Sequence, residues 1–197
     1  TNINRLLNLI DECNSENIQG ILVGLDFEKA YDSLEWEFLY KALKYFKFPS
    51  VLIQWIKVLY TNIETCIIND GNTSPPFNPT RGVRQGCPLS PTLFVLAIEL
   101  IAIYIRNSPE IKGVRIRDSD YTISQFADDT TLAITDPKEG ITRLFKLFKK
   151  LSRITELKQN EDKTEILLLG KTTIDNIPDR YCALVKQSVK ILRVKIS

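Results

Sequence analysis

The chain has 197 residues, 44% of them hydrophobic and 25% charged, with a formal net charge of +2. That is enough apolar material to bury a sizeable core, in one domain or one domain with an appendage, and it excludes a disordered tail-like chain. So small a charge does not by itself mark a nucleic-acid binder.

In chain order, Ile3, Leu6, Leu7, Leu9 and Ile10 recur at helical spacing and predict a helix over residues 3–16. Residues 20–26 form a β-rich run. Ser33 is expected to cap a helix through residue 46, with Glu35 and Glu37 in its first turn. After Pro49 and Ser50, residues 51–60 read as a further amphipathic helix. Strands are expected at 64–69 and 76–80, around the turn-forming Asp70-Gly71-Asn72. Pro88 opens a long apolar helix whose Leu89, Leu93, Phe94, Leu96, Ala97, Leu100 and Ile101 cover most of its circumference, so it is buried. A hairpin at 121–135 comes next, then a helix capped by Asp136, beginning at Pro137 and reaching about residue 155. Residues 164–169 and 189–196 complete the set as strands. This order is α+β, not a regular βαβ repeat.

No apolar run reaches membrane-spanning length, and nothing resembles a signal peptide. Cys13, Cys66, Cys87 and Cys182 stand singly, which disfavours zinc and a disulfide framework and suits a reducing compartment. With no Met and Thr first, the chain is expected to begin inside a longer reading frame.

Two segments carry chemistry. LVGLDFEKAYD at 22–32 and SQFADDTTLAI at 124–134 set Asp26, Asp128 and Asp129 among apolar and β-branched residues that read as buried strands. A carboxylate in such surroundings needs positive compensation. There is no His, and no Lys or Arg neighbours either cluster in sequence closely enough to be the obvious partner. A hard divalent cation is the natural candidate, and it points to metal-assisted phosphoryl transfer. Between them lies RGVRQGCPLSP, residues 81–91. Its glycines allow close backbone approach and its arginines suit phosphates, although a tight loop with no ligand reads the same way. Basic residues also gather at Lys146, Lys149, Lys150 and Arg153, and at Lys186, Lys190, Arg193 and Lys195, where a solvated face is the competing reading.

The blocks LDFEKAYDSLEWEFL, RGVRQGCPLSPTLF, FADDTTL and NEDKTEILLLG together resemble, in order and spacing, the reverse transcriptase domain of non-LTR (LINE-type) retrotransposons. The resemblance covers essentially the whole chain. It implies a right-hand polymerase palm, a four-stranded antiparallel sheet backed by helices, with fingers and thumb largely missing. On that basis residues 1–197 are a palm core with finger edges at the N-terminal side and a primer-grip-like hairpin at the C-terminal end. The remaining fingers, the thumb and an endonuclease region would belong to the parent polyprotein. A group II intron-type enzyme, with the same metal chemistry, is the neighbouring alternative. A catalytically inactive nucleic-acid-binding remnant is the non-enzyme one.

Carried over by position, the resemblance implies that Asp26 and Asp128 are the main ligands of two Mg²⁺ ions, with Mn²⁺ a possible substitute. Asp129 would support them, and the backbone carbonyl of Phe27 would complete one shell. Tyr31 falls where the family sets a steric gate beneath the incoming sugar, an ordinary core tyrosine being the alternative. Gln85 and Gly86 resemble the loop that meets the incoming nucleotide. Arg81 and Arg84 would contact template or phosphate, and Lys163 would be the general acid for pyrophosphate departure. The implied partners are an RNA template, a DNA primer and dNTPs, without a membrane, in the nucleus or cytoplasm.

Two positions depart from the family pattern. Glu156 stands where a glycine usually ends a helix, at a cost of about 1 kcal/mol if the backbone there is left-handed. Arg193 replaces the glycine of the primer-grip-like hairpin, where it would either clash with the primer or grip its phosphates. Each replacement is a single purine transition from a glycine codon, which suggests a drifting element copy. Intact sister copies carrying the same Glu and Arg would remove that suggestion's basis.

Overall fold

The computed structural model describes residues 2–126, 129–191 and 194–196. The chain runs through α1 (Asn2–Ser15), β1 (Gly20–Leu25), a single turn α2 (Ala30–Ser33), α3 (Trp36–Tyr45) and α4 (Ser50–Leu59). A small hairpin, β2 (Ile68–Asn69) and β3 (Asn72–Thr73), precedes the long α5 (Ser90–Arg106). Then come β4 (Val114–Ile116), β5 (Ser119–Tyr121), β6 (Ile123–Phe126), β7 (Asp129–Ile134) and α6 (Pro137–Thr155). Last are β8 (Glu165–Leu169) and the hairpin β9 (Val189–Ile191) and β10 (Val194–Ile196).

The central sheet has four strands in the order β6-β7-β1-β8. Its pairs are antiparallel, with Val23 opposite Leu132 on one side and Ile166 on the other. Both faces are covered, which is why β1 reads as a continuous apolar run and not as an alternation. Ile21, Val23, Leu25, Leu132, Ile134 and Ile166 face a core built with α3, α5 and α6. Leu22, Ala133, Leu167 and Leu169 face a second core with Leu6, Leu9, Ile10 and Cys13 of α1 and with β4 and β9. This is the α+β antiparallel arrangement expected of a palm.

Local chemistry explains most boundaries. Asp136 caps α6 by accepting a hydrogen bond from the Glu139 amide at 3.1 Å, with Pro137 in the first turn. The β2–β3 turn uses left-handed Asp70 (φ 49°) and Gly71 (φ 76°), the pair of positive angles that a two-residue hairpin requires. Several expectations are corrected. Ser33 caps nothing: it ends the turn α2, its hydroxyl donates back to the Glu28 carbonyl, and the expected helix starts only at Trp36, because Leu34 has an extended backbone (φ −60°, ψ 120°) and Glu35 stands at the N-cap. The long helix begins at Ser90, because residues 87–90 form a turn in which the Ser90 amide donates to the Cys87 carbonyl. Strands 64–69 and 76–80 reduce to β2, β3 and one bridge between Thr65 and Phe77.

Candidate active site

β1 and β7 pair as far as Leu25 and Thr130, so Asp26 and Asp129 stand one step further on, at the same end of adjacent strands. Asp26 thus lies at the rim of the sheet and not within it, and Asp129 is exposed. For Asp26 and Asp129 the expectation of buried carboxylates is corrected: Asp26 is half-buried at the sheet's end, although Phe27 beyond it is buried, and Asp129 is open to water. Asp128 and Arg193 lie outside the described residues.

The lack of a cationic partner is corrected as well. Lys163 brings its Nζ to 3.4 Å from Asp26 Oδ2, although 137 positions separate the two. The approach is built by the main chain. Beyond β1 the chain pairs with residues 158–160: the Asn160 amide donates to the Asp26 carbonyl (2.8 Å) and the Glu28 amide donates to the Lys158 carbonyl (2.9 Å). Phe27 and Gln159 face each other across this bridge, which leaves the Phe27 carbonyl out of the pairing. Asn160 then caps a single 3₁₀ turn, Glu161–Lys163, with its side chain on the Lys163 amide. That turn points Lys163 back at the strand end. The pair is exposed enough that its net contribution to stability is about 0–1 kcal/mol, so its interest is positional.

The loop 81–86 is fastened to residues 31–36. The Val83 amide donates to the Tyr31 carbonyl (2.7 Å), the Gly82 amide to the Leu34 carbonyl (2.8 Å), and Trp36 Nε1 to the Gly82 carbonyl (2.7 Å). Gly82 has φ +90°, and a Cβ there would stand 2.7 Å from the Asp32 carbonyl oxygen, so no other residue fits. Gln85 donates from Nε2 to Asp32 Oδ1 at 3.1 Å, which turns an exposed, flexible side chain into a held one. Asp32 lies within the same motif as Tyr31, and its contact with Gln85 has no signal in the sequence spacing. The ring of Tyr31, half-buried, stacks on Phe94 with centroids 4.4 Å apart and 16° between planes. Arg84 is exposed.

Arg81 is not a free cation. Its Nη1 donates to Glu156 Oε2 at 3.0 Å, tying the loop to the end of α6. Glu156 is left-handed, with φ 58°, and its amide closes the helix on the Ser152 carbonyl. It therefore occupies the backbone conformation that favours glycine. Cys87, next in the loop, has its thiol held below the usual range, chiefly by hydrogen bonding to the Leu89 amide and then to Ser90, with Arg84 adding a favourable charge.

The described donors at the strand end are oxygens, and the chain has no His. Among the described residues no three acidic or cysteine side chains converge, Asp128 being outside them. Two carboxylates on adjacent strand ends and a carbonyl free of the neighbouring bridge suit a hard divalent ion that keeps several water or phosphate ligands. Among the described residues no soft-metal site is built.

Comparison with known proteins agrees with this architecture. The family model described as reverse transcriptase (RNA-dependent DNA polymerase) matches residues 3–196. The chain is 32% identical over 142 residues, 72% of its length, to the retrovirus-related Pol polyprotein from the type-2 retrotransposable element R2DM of Drosophila melanogaster. It is 28% identical over 179 residues, 89% of its length, to the transposon TX1 uncharacterized 149 kDa protein of Xenopus laevis. It spans 13% and 14% of those two relatives. In fold it is similar to telomerase from Candida albicans in complex with a fragment of telomeric RNA, with a TM-score of 0.64 and 13% identity over 98% of this chain and 33% of that one. The chain belongs to the reverse transcriptase (RNA-dependent DNA polymerase) family, as a domain of the non-LTR retrotransposon type.

Proposed function

We propose that this domain adds deoxynucleotides to a primer 3′-hydroxyl under the direction of an RNA template, at the common end of β1 and β7. The observation that carries the reading is the meeting of Asp26, Asp129 and Lys163 there, from three separated segments. Asp26 and Asp128, with the Phe27 carbonyl and with Asp129 in support, would hold two Mg²⁺ ions, or Mn²⁺ in their place. Such ions, when bound, make the hydroxyl more acidic and neutralise charge on the triphosphate.

The chain's own groups do the rest. Lys163, beside Asp26, gives a proton to the departing pyrophosphate. The Tyr31 ring, kept in place by Phe94, closes the space that a ribose 2′-hydroxyl would need. Gln85, held by Asp32, and the open backbone at Gly86 meet the incoming nucleotide, while Arg84 and Arg81 meet template or phosphate once Arg81 leaves Glu156. RNA template, DNA primer and dNTPs are the partners, and an intracellular place of action, nuclear or cytoplasmic, is part of the same proposal. Among the described residues no helix is long and apolar enough to cross a membrane.

The test is primer extension on an RNA template with dNTPs and Mg²⁺, comparing this chain with Asp26→Asn and Asp128→Asn. Template-directed extension lost in both variants is the expected result. No extension from soluble, folded protein, with RNA still bound, would instead support the binding-only remnant.

A further inference from the structure

The outer face of α6 carries Lys146, Lys149, Lys150 and Arg153, at the i, i+3, i+4, i+7 spacing that makes one stripe. All four are exposed, and among the described residues none lies within 4.0 Å of a carboxylate. Like charges at these spacings disfavour the helix that bears them. In a chain of net charge +2, so dense a stripe is also a marked local concentration of positive charge.

The stripe does not stand on a bare convex surface. On one side it borders a groove whose other wall is the C-terminal end of α5, with Tyr104, Asn107 and Ser108. Tyr104 is 45% exposed, so part of this aromatic side chain is open to a ligand there. On the other side Lys146 and Lys149 share a second groove with Lys158 and Arg180. Arg180 is held over the Tyr181 ring at 4.5 Å and donates to Thr142 at 3.2 Å. Glu110 in the first groove and Glu161 in the second are the only acids among the lining residues. Gln159, the residue bridged to Phe27, also lines the second groove.

We propose that this face is a second binding track for single-stranded RNA, separate from the polymerase site, in which the α6 cations follow the phosphates and Tyr104 stacks on a base. The choice of nucleic acid over other polyanions rests on the polymerase reading given above. A strand held there lies outside the catalytic cleft and tethers RNA to the domain without occupying its active site.

The experiment measures binding of a fluorescent oligouridylate of about 20 nucleotides across a salt series. It compares the unsubstituted chain with Lys146→Gln/Lys149→Gln/Lys150→Gln and with a charge-matched control, Lys41→Gln/Lys44→Gln/Lys47→Gln. The stripe variant is expected to lose about tenfold or more in affinity at about 0.1 M salt, with the log–log salt slope shallower by about 2. The control should lose much less. Equal losses in the two variants, or none in the stripe variant, overturn the proposal. On the unsubstituted chain, RNA carrying 4-thiouridine should cross-link to Tyr104 or the α6 peptide, and cross-links absent from α5 and α6 also overturn it. Loss of binding to phosphatidylserine vesicles with RNA affinity unchanged would reassign the stripe to a lipid surface. Primer extension run in parallel separates the two readings: absent extension with stripe-dependent RNA binding removes the polymerase activity and keeps the track.

Discussion

Lys163 and Asp26 meet at 3.4 Å because a backbone bridge, not a side-chain contact, carries residues 158–160 to the end of β1. If Lys163 gives a proton to pyrophosphate, Lys163→Gln should lower the single-turnover incorporation rate by about 10²-fold while leaving primer affinity nearly unchanged. A purely structural lysine would leave the incorporation rate unchanged.

Tyr31 leans on Phe94 at 4.4 Å, so ring and gate are separable. Tyr31→Phe should keep discrimination against ribonucleotides. Tyr31→Ala should lower it on the order of tenfold or more, with about 1 kcal/mol of stability lost from the missing stack. Competitive incorporation of dNTP and rNTP measures the first, and urea unfolding the second.

Gly82 allows the loop to touch Asp32, with 2.7 Å between a would-be Cβ and the carbonyl oxygen. Gly82→Ala should cost about 2 kcal/mol or more, because the backbone must both leave a left-handed angle and back away from a neighbour. The urea midpoint should fall with little change in slope.

Glu156 combines an unfavourable backbone angle with an ion pair to Arg81. Glu156→Gly should relieve about 1 kcal/mol of backbone cost and give back part of it by losing an exposed pair. The net gain is expected near 0.5 kcal/mol, and it should rise towards the full value in an Arg81→Ala background, where no pair remains to lose. Unfolding of the four members of that cycle is the measurement.

The thiols should separate by pH. Burial, with Glu12 and Glu16 nearby, pushes Cys13 up to about 11, while amide hydrogen bonds hold Cys87 below its ordinary value. The thiolate is the reactive form, so iodoacetamide should label Cys87 in the folded chain at lower pH than any labelling of Cys13. Peptide mass spectrometry after timed alkylation reads this out, and bound primer–template with dNTP should slow the labelling at Cys87.

The core strands were legible because their signal is local. ILVGL must be buried on both faces, and Asp136-Pro137 opens a helix wherever it falls ahead of an amphipathic run. The site was less so. Ser33 has the right chemistry for a cap, yet Lys29 and Leu34 set backbone angles that spend its hydroxyl elsewhere. The hairpin β4–β5 went unread, since Val114–Ile116 and Ser119–Tyr121 are too short to show a period. The partnership of Asp26 with Lys163, and of Gln85 with Asp32, depends on segments that meet only in the folded sheet.

The splice between residues 26–28 and 158–160 is written in amide and carbonyl groups, which every residue but proline supplies in full. The exposed side chain at 158 can therefore change without shifting Lys163 from its post, whereas Gln159 adds a side-chain hydrogen bond to Thr164 at 2.9 Å, just past the turn. Substitutions of the side chain at 158 alter the surface of the domain and spare the placement of Lys163 beside Asp26.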